Sequence, residues 1–196
     1  MSRFVFPPAF PSPEADRARL LELLKRKSYV EGEVTLASGK KSDFYIDCRQ
    51  TSLDAEGAAL IGRIFHQWIA ELPEAPDAIG GMTMGADPLV TATSLTSFLA
   101  GRPIPGFLIR KEPKGHGMGK QIEGAKALQP GMRVLLLEDV VTTGGSTLKA
   151  VEACEREGLA VGGVFCLVDR LEGGREAVQA QGLPLAALYT RRDFKG

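Results

Sequence analysis

Cysteine is scarce in this sequence, and the few cysteines do not form a recognisable pattern. The 196 residues include three of them, Cys48, Cys154 and Cys166, which are widely spaced and form no CxxC pair. An odd number of scattered thiols argues against a disulfide framework, and we see no case for a metal site among them. The pattern predicts reduced thiols in a cytoplasmic protein.

The sequence also lacks net charge and long apolar runs. Its 24 basic and 24 acidic residues cancel, so no overall field draws the chain to nucleic acid or to a membrane surface. No apolar run approaches 18 residues, and residues 1–13 are broken by proline and lack the core of a signal peptide. We therefore expect a soluble cytoplasmic protein with neither a nucleic-acid nor a membrane partner.

Two common nucleotide-binding fingerprints are missing as well. No GxGxxG motif follows a predicted strand, which argues against a dinucleotide-binding fold. Gly115 to Lys120 has a superficial likeness to a Walker A loop, but one residue is missing between the glycines. Gln121 also stands where a Ser or Thr would coordinate magnesium.

Apolar segments of strand type alternate with amphipathic segments of helix type from Ala78 onward. The predicted strands are Ala78 to Met82, Gly106 to Ile109, Val134 to Leu137, Val161 to Val168 and Leu185 to Tyr189. Helices are predicted from Ser12-Pro13 to about Ser28, from Asp54 to about Ala70, from Pro88 to about Leu99, after Ser146, and from Glu176 to Gln181. This alternation predicts an α/β fold, with a central parallel sheet flanked by helices and a ligand site at the carboxyl ends of the strands.

A short hairpin precedes the first α/β alternation. Its predicted strands are Glu33 to Ala37 and Asp43 to Asp47, around a turn at Ser38 to Lys41. We expect one domain over residues 1–196, with a small hood formed mainly by residues 1–50 and a core formed by residues 54–196.

The stretch Val134 to Thr147, VLLLEDVVTTGGST, combines a buried strand, two acids, a small hydroxyl-rich loop and a helix start. Glycines let backbone N–H groups converge, hydroxyls add donors and the helix N-terminus favours negative charge, so this loop suits a phosphate. The acids Glu138 and Asp139 suit hydroxyl groups. Successive strand residues point to opposite sides, so we expect the two acids not to act as one pair. The stretch as a whole predicts a ribose 5-phosphate ligand.

The same stretch resembles the phosphoribosyl pyrophosphate (PRPP) signature of type I phosphoribosyltransferases, without a gap from Val134 to Ser146. The resemblance implies that fold. It also implies PRPP contacts from the ribose-binding acids and the phosphate loop, namely Glu138, Asp139, Val140, Val141, Thr142, Thr143, Gly144, Gly145 and Ser146. Gly80 to Pro88 resembles the pyrophosphate-binding turn of the same family.

The loop Arg110 to Lys126 is rich in glycine and basic residues, and it could close over a polyanion. Arg110, Lys111, Lys114 and His116 follow the pattern R-K-x-x-K-x-H, which is similar to the catalytic flap of orotate phosphoribosyltransferases. The resemblance implies that these four residues bind PRPP, and that Lys111 and Lys114, with Asp139, are catalytic. In that family the flap partly serves the neighbouring subunit, which implies a homodimer.

Two further segments resemble the orotate family. Val168 to Arg175 is similar to its VDR-x-EGG segment, which implies that Arg170 binds the orotate carboxylate. Ser38 to Tyr45 is similar to the segment that covers the base, and either Tyr45 or Phe44 could stack on the pyrimidine, the other being a core residue. Thr142 is a further candidate for contact with the base. Ala37 stands where many members have a lysine, and the usual contact of that lysine is absent or comes from Lys40 or Lys41.

The expected reaction transfers ribose 5-phosphate from PRPP to orotate and gives orotidine 5′-monophosphate and pyrophosphate. Magnesium is expected as the cofactor, held mainly by PRPP, with no metal site built by the protein itself. The alternatives are a purine or uracil phosphoribosyltransferase of the same fold and a PRPP-binding regulator. Arg170 and the flap argue against the first. The second would need a nucleic-acid surface, which the charge does not indicate.

Overall fold

The computed structural model describes residues 3–35, 41–112 and 121–194 of the chain. In chain order the elements are α1 (Glu14–Lys27), β1 (Tyr29–Thr35), β2 (Lys41–Ile46), α2 (Arg49–Ser52), α3 (Ala55–Ala70), β3 (Ala78–Met82), α4 (Asp87–Leu99), β4 (Gly106–Ile109), β5 (Ile122–Glu123), β6 (Arg133–Val141), α5 (Gly145–Arg156), β7 (Ala160–Asp169), α6 (Gly174–Ala180) and β8 (Leu185–Thr190). Short 3-10 helices cover Ala125–Ala127 and Arg191–Asp193.

The central sheet has the order β5-β4-β3-β6-β7-β8 within the described residues. Strands β4, β3, β6, β7 and β8 run parallel, and only the two-residue edge strand β5 pairs antiparallel among them. The chain leaves β3 toward one edge and β6 toward the other, so the order reverses between these two neighbours. A ligand crevice forms at such a switch point, at the carboxyl ends of the strands.

Apolar side chains cover both faces of this sheet. One cluster includes Leu135 and Phe165 of the sheet together with Ile61 of α3, and a second includes Leu136 and Val164. Strand β3 is buried at every position, as expected for a strand covered on both faces.

The hairpin β1-β2, with α1 and α2, forms the hood that precedes the core. Its buried residues Leu20, Leu23 and Phe44 belong to the same cluster as Leu135 and Phe165 of the sheet. The hood is therefore held by apolar packing against one face of the core.

The N-terminal segment lies on the sheet rather than on the hood. The backbone N–H of Phe4 donates to the carbonyl of Gly162 at 2.9 Å. A Cβ atom at Gly162 would lie 2.3 Å from the ring of Phe4, and one at Gly163 would lie 2.6 Å from the ring of Phe6. The glycine pair in β7 thus makes room for two phenylalanines.

The structure corrects several predicted boundaries. Strand β1 begins at Tyr29 rather than Glu33, and β6 continues to Val141 instead of stopping at Leu137. Ser12 does not cap α1, because its hydroxyl accepts a hydrogen bond from Trp68 Nε1 at 2.9 Å and Pro13 is the capping residue. Helix α3 begins after Asp54, close to the predicted start, and Asp54 caps it by accepting from the N–H of Gly57 at 3.1 Å. The turn at residues 36–40 lies outside the described part.

Candidate active site

A cavity of ≈ 330 Å³ opens at the carboxyl ends of β3 and β6, between the hood and the core. It is lined from the hood by Tyr45, Ile46, Asp47 and Arg49, from the turn after β3 by Met82, Thr83, Met84 and Gly85, and from the remaining core by Lys111, Glu138, Asp139, Val140, Thr142, Ser146 and Arg170. The cavity lies where the strand order reverses, at the carboxyl ends of the strands.

The phosphate loop follows β6 directly and ends at the start of α5. Val141 is the last residue of β6, Thr142 and Thr143 follow it, and Gly144 adopts a left-handed backbone with φ of 82° before the helix begins at Gly145. No side chain caps this helix start. The first backbone N–H groups of α5 are therefore available to an anion at the end of the helix that favours negative charge.

The two acids of β6 reach the same cavity, which corrects the expectation that they face opposite sides. Thr147 Oγ1 on α5 donates to Glu138 Oε2 at 3.1 Å, and it directs this long side chain toward the strand end. Burial, and next the negative charge of Asp139, raise the pKa of Glu138 to about 8. Burial also raises the pKa of Asp139 above its usual value, against the opposing effect of the Val140 N–H, which donates to Asp139 Oδ1 at 2.9 Å.

The turn after β3 comes into direct contact with Asp139. A Cβ atom at Gly85 would lie 2.4 Å from Asp139 Oδ1, so only glycine allows this approach. Thr83 Oγ1 donates to Asp87 Oδ1 at 3.0 Å and links the turn to the start of α4. The peptide bond between Thr83 and Met84 is cis. The turn that resembles the pyrophosphate-binding segment therefore lies beside the acids of the PRPP signature.

The hood contributes one aromatic residue and one cation to the cavity. Tyr45 lines it, whereas Phe44 is fully buried against Tyr29 and Phe194. The structure thus decides which of the two aromatic residues belongs to the core. Arg49 forms a bidentate ion pair with Asp47, in which Nε donates to Oδ1 at 2.7 Å and Nη2 donates to Oδ2 at 3.0 Å.

Arg170 follows β7 directly and lines the same cavity as the acids. Its backbone N–H donates to the carbonyl of Val141 at 2.9 Å. Its Nη2 lies 2.8 Å from Glu172 Oε1 and 3.2 Å from the carbonyl oxygen of Phe44. The guanidinium carbon lies 5.6 Å from the centre of the Phe44 ring. Arg170 therefore links the end of β7 to the hood through Phe44.

The basic loop is described at its two ends, residues 110–112 and 121–126. Arg110 is exposed and pairs with Glu123, Nε to Oε1 at 2.7 Å, while Lys111 lines the cavity. Lys114 and His116 lie outside the described residues. Of the predicted site residues, the structure brings Tyr45, Lys111, Glu138, Asp139, Val140, Thr142, Ser146 and Arg170 to one cavity. The cavity lining does not include Val141, Thr143, Gly144 or Gly145, although each of them lies within two residues of Thr142 or Ser146.

Sequence reasoning missed the Asp47–Arg49 pair. An acid followed two residues later by an arginine is a weak signal, because most such pairs lie on solvated surfaces. The pair belongs to the cavity only because β2 and α2 of the hood deliver it there.

Residues 3–35, 41–112 and 121–194 contain no group of three or more His, Cys, Asp or Glu side chains arranged to hold a metal ion. All three cysteines are free and buried. In the same part of the chain, no helix combines the length and apolar character needed to span a bilayer.

A parallel sheet whose switch point joins a phosphate loop, two acids and a glycine turn defines a phosphoribosyltransferase domain. In agreement, the family model described as "Phosphoribosyl transferase domain" matches residues 49–180. The chain is 53% identical over 180 residues to the orotate phosphoribosyltransferase of Sorangium cellulosum (strain So ce56), covering 92% of this chain and 93% of that protein. It is 49% identical over 177 residues to that of Aquifex aeolicus (strain VF5), covering 89% and 94%.

A solved structure agrees with these relatives. The crystal structure of Mycobacterium tuberculosis H37Rv orotate phosphoribosyltransferase in complex with PRPP superposes with a TM-score of 0.76 at 40% identity, over 91% of this chain and 98% of that chain. The chain therefore belongs to the orotate phosphoribosyltransferase family.

Proposed function

We propose that the cavity between hood and core is the active site in which this chain carries out the reaction of its family. PRPP and orotate react there, the C1–pyrophosphate bond of the ribose breaks, and a bond forms from C1 to N1 of orotate. The products are orotidine 5′-monophosphate and pyrophosphate. The observation that carries this proposal is the meeting of the phosphate loop, the acids of β6 and Arg170 at one cavity.

PRPP is bound between the start of α5, which holds its 5-phosphate, and the turn after β3, which faces its pyrophosphate. The 5-phosphate is held by the loop Thr142 to Ser146, because the helix start and the hydroxyls provide donors and no competing side-chain cap. The ribose hydroxyls donate to Asp139 and Glu138. The pyrophosphate then lies toward the Gly85 turn, which is in contact with Asp139.

Orotate is bound at the opposite end of the cavity. Arg170 pairs with its carboxylate, since a planar guanidinium binds a carboxylate through two parallel hydrogen bonds. Tyr45 stacks on the pyrimidine ring and Thr142 borders it. A base without a carboxylate makes no use of Arg170, and this favours orotate over uracil or a purine.

The basic loop supplies cations to the leaving group. Departure of pyrophosphate leaves an oxocarbenium-like ribose and new negative charge on the leaving oxygens, so cations that arrive with loop closure stabilise the transition state. Lys111 already lines the cavity. Arg110, Lys114 and His116 complete the flap in this proposal.

Magnesium is expected to enter with PRPP. When bound, the ion neutralises charge on the pyrophosphate. The carboxylate oxygens of Asp139 and Glu138 are ligands of the kind magnesium prefers, so the residues present fit the ion. Their main task in this proposal remains the binding of the ribose hydroxyls.

A homodimer that shares its flaps fits the surface beside the cavity. An apolar groove of ≈ 820 Å³ runs between α3 and α4 and includes Leu53, Pro88, Leu95 and Leu99. Leu53, Leu95 and Leu99 are each more than half exposed. Asp87, at the start of α4, also lines the groove and binds the cavity-lining Thr83, so the groove adjoins the cavity mouth. A second copy on this α3–α4 groove buries the apolar surface and brings its own flap near the cavity.

The protein is a single domain of residues 1–196 in this proposal, with a hood mainly at residues 1–50 and a core at residues 54–196. Its three reduced, buried thiols support a cytoplasmic location.

One assay tests the proposed reaction. Loss of orotate absorbance is followed with PRPP and magnesium, beside parallel reactions that contain uracil, adenine or hypoxanthine. We expect turnover of orotate with release of pyrophosphate and none of comparable rate with the other bases. Preferred turnover of another base would assign the chain to the corresponding phosphoribosyltransferase, and PRPP binding without turnover would indicate a regulator.

A further inference from the structure

Asp169, the last residue of β7, is a fully buried carboxylate beside the base end of the cavity. Its Oδ1 accepts from the backbone N–H of Leu171 at 2.9 Å, and its Oδ2 accepts from Arg175 Nε at 2.9 Å. Arg175 Nη1 also donates to the carbonyl of Leu185 at the start of β8, again at 2.9 Å. The acid and the arginine together tie the ends of the segment 169–175 to each other and to the sheet.

The segment between Asp169 and Arg175 contains an unfavourable backbone conformation. Leu171 has a φ of 58°, in the left-handed region, and it is the only non-glycine residue with a positive φ in the described part of the chain. A leucine there is strained, and such conformations persist when surrounding contacts hold them. The hydrogen bond from the Leu171 N–H to Asp169 Oδ1 and the ion pair of Asp169 with Arg175 are contacts that hold this turn.

Arg170 lies between Asp169 and Leu171, so this turn determines where its side chain points. The side chain extends into the cavity and reaches Glu172 and the Phe44 carbonyl. An altered turn at Leu171 redirects the guanidinium relative to the base, while the fold of β7 remains.

The same segment also packs against the phosphate loop. A Cβ atom at Gly174 would lie 2.4 Å from the carbonyl oxygen of Thr142 and 2.8 Å from the Gly144 backbone nitrogen. A general disorder of residues 169–175 would therefore disturb PRPP binding as well as base binding. A defect limited to the direction of Arg170 would disturb base binding alone.

We propose that Asp169 and Arg175 are positioning residues that fix the left-handed turn at Leu171 and so aim Arg170 at the carboxylate of the base. They act through Arg170 and touch neither substrate. The inference rests on the proposed role of Arg170 in binding orotate.

The test compares steady-state kinetics of Arg175→Lys, the double variant Asp169→Asn/Arg175→Gln and Arg170→Ala in the full-length protein. The double variant removes the charges of the pair, of which Asp169 is buried and Arg175 partly exposed, but keeps a neutral donor and acceptor, which protects the fold. We expect its KM for orotate to rise about tenfold or more, because small misplacements of a positioning group have effects of this size. The KM for PRPP should stay within about twofold of the wild-type value. Arg175→Lys keeps the positive charge but loses the two separate donors of the guanidinium, so its KM for orotate should lie between those of wild type and the double variant.

The double variant is also combined with Arg170→Ala. If Asp169 and Arg175 act through Arg170, the combination should raise KM for orotate no further than Arg170→Ala alone. Arg19→Gln, which breaks an exposed ion pair with Glu56, is the matched control and should leave both KM values unchanged. Equal rises of both KM values in the double variant, or an additive effect in the combination, would overturn the inference. A normal KM for orotate in Arg170→Ala alone would instead refute the proposed role of Arg170.

Discussion

At the scale of single residues, Glu138 is a buried acid beside a second acid, an arrangement that destabilises the fold and that its proposed role in the active site explains. It is 6% exposed and shares the cavity with Asp139. Its raised pKa means that the folded chain holds the proton more tightly than the unfolded chain. Stability should therefore fall as the pH rises from about 4.5 toward the folded pKa of about 8.

Glu138→Gln should remove this pH dependence, because the amide cannot ionise and its oxygen can still accept from Thr147. We expect the unliganded variant to be more stable than wild type at pH 8 by about 1.4 kcal/mol or more, the equivalent of one pKa unit. PRPP should bind it less tightly. Thermal unfolding between pH 5 and pH 8.5 measures the effect, with the exposed Glu152→Gln on α5 as control. Parallel pH profiles for wild type and Glu138→Gln would contradict it.

Sequence reasoning finds the residues of the site where the chemistry is local. The two acids, the hydroxyl loop and Arg170 each stand next to a predicted strand end, and parallel strands bring such ends to one edge. It does not predict that Glu138 and Asp139 face the same cavity, because this depends on Thr147, which lies nine residues further on in α5. Arg49 is missed for the same reason, since its place in the cavity depends on how the hood packs.

At the scale of elements, the contact between the β3 turn and the end of β6 predicts a strict requirement for glycine at position 85. Gly85→Ala places a methyl group against the carboxylate of Asp139, which must then rotate away from the ribose. We expect KM for PRPP to rise about tenfold to hundredfold, the loss of one charge-assisted hydrogen bond of roughly 1.5 to 3 kcal/mol. Steady-state kinetics with PRPP varied gives the measurement.

The control for Gly85→Ala is a double-mutant cycle with Asp139→Asn. If alanine acts by displacing the carboxylate, the two changes should be strongly non-additive, because the second removes what the first disturbs. Additive effects would show that the alanine disturbs the turn itself and not Asp139.

The proposed flap leads to a separate prediction, which concerns Lys114. If Lys114 meets the pyrophosphate charge only on closure, Lys114→Ala should lower kcat by about 10²-fold or more, the usual effect of losing one transition-state donor. PRPP binding to the resting enzyme should change much less. Lys126→Ala, at an exposed lysine in the 3-10 helix at the far end of the loop, is the control. A loss of PRPP affinity as large as the loss of kcat would assign Lys114 to ground-state binding.

Sequence patterns also predict most elements correctly, since the core helices and strands have clear periodicity. The errors have physical causes. Strand β6 continues through the acids to Val141 because it keeps pairing with β7 as far as Asp169, and an acidic residue at a strand end looks like the start of a loop. Strand β1 begins at Tyr29 because it pairs with Ile46 of β2, a contact that periodicity cannot show.

At the scale of the whole molecule, the groove between α3 and α4 and the proposed sharing of flaps between subunits lead to one prediction about assembly. In the proposed homodimer, Lys111→Ala damages the flap and Asp139→Asn damages the proposed ribose site, so each variant alone should be nearly inactive. If each flap serves the partner's cavity, mixed dimers contain one cavity that has both parts intact. Random exchange of equal amounts should then restore roughly a quarter of wild-type activity, because half of the dimers are mixed and each has one complete site.

Subunit exchange is confirmed independently, for example with two tags of different mass. The same mixture is then prepared with Leu95→Glu added to both chains, which places a charge in the apolar groove. We expect this change to shift the protein toward monomers in sedimentation and to abolish the recovery. If exchange is complete without recovery, each flap serves its own subunit. In that case the intact Lys111 and the intact Asp139 of a mixed dimer always lie in different active sites. If Leu95→Glu leaves both assembly and recovery intact, the dimer forms through another surface.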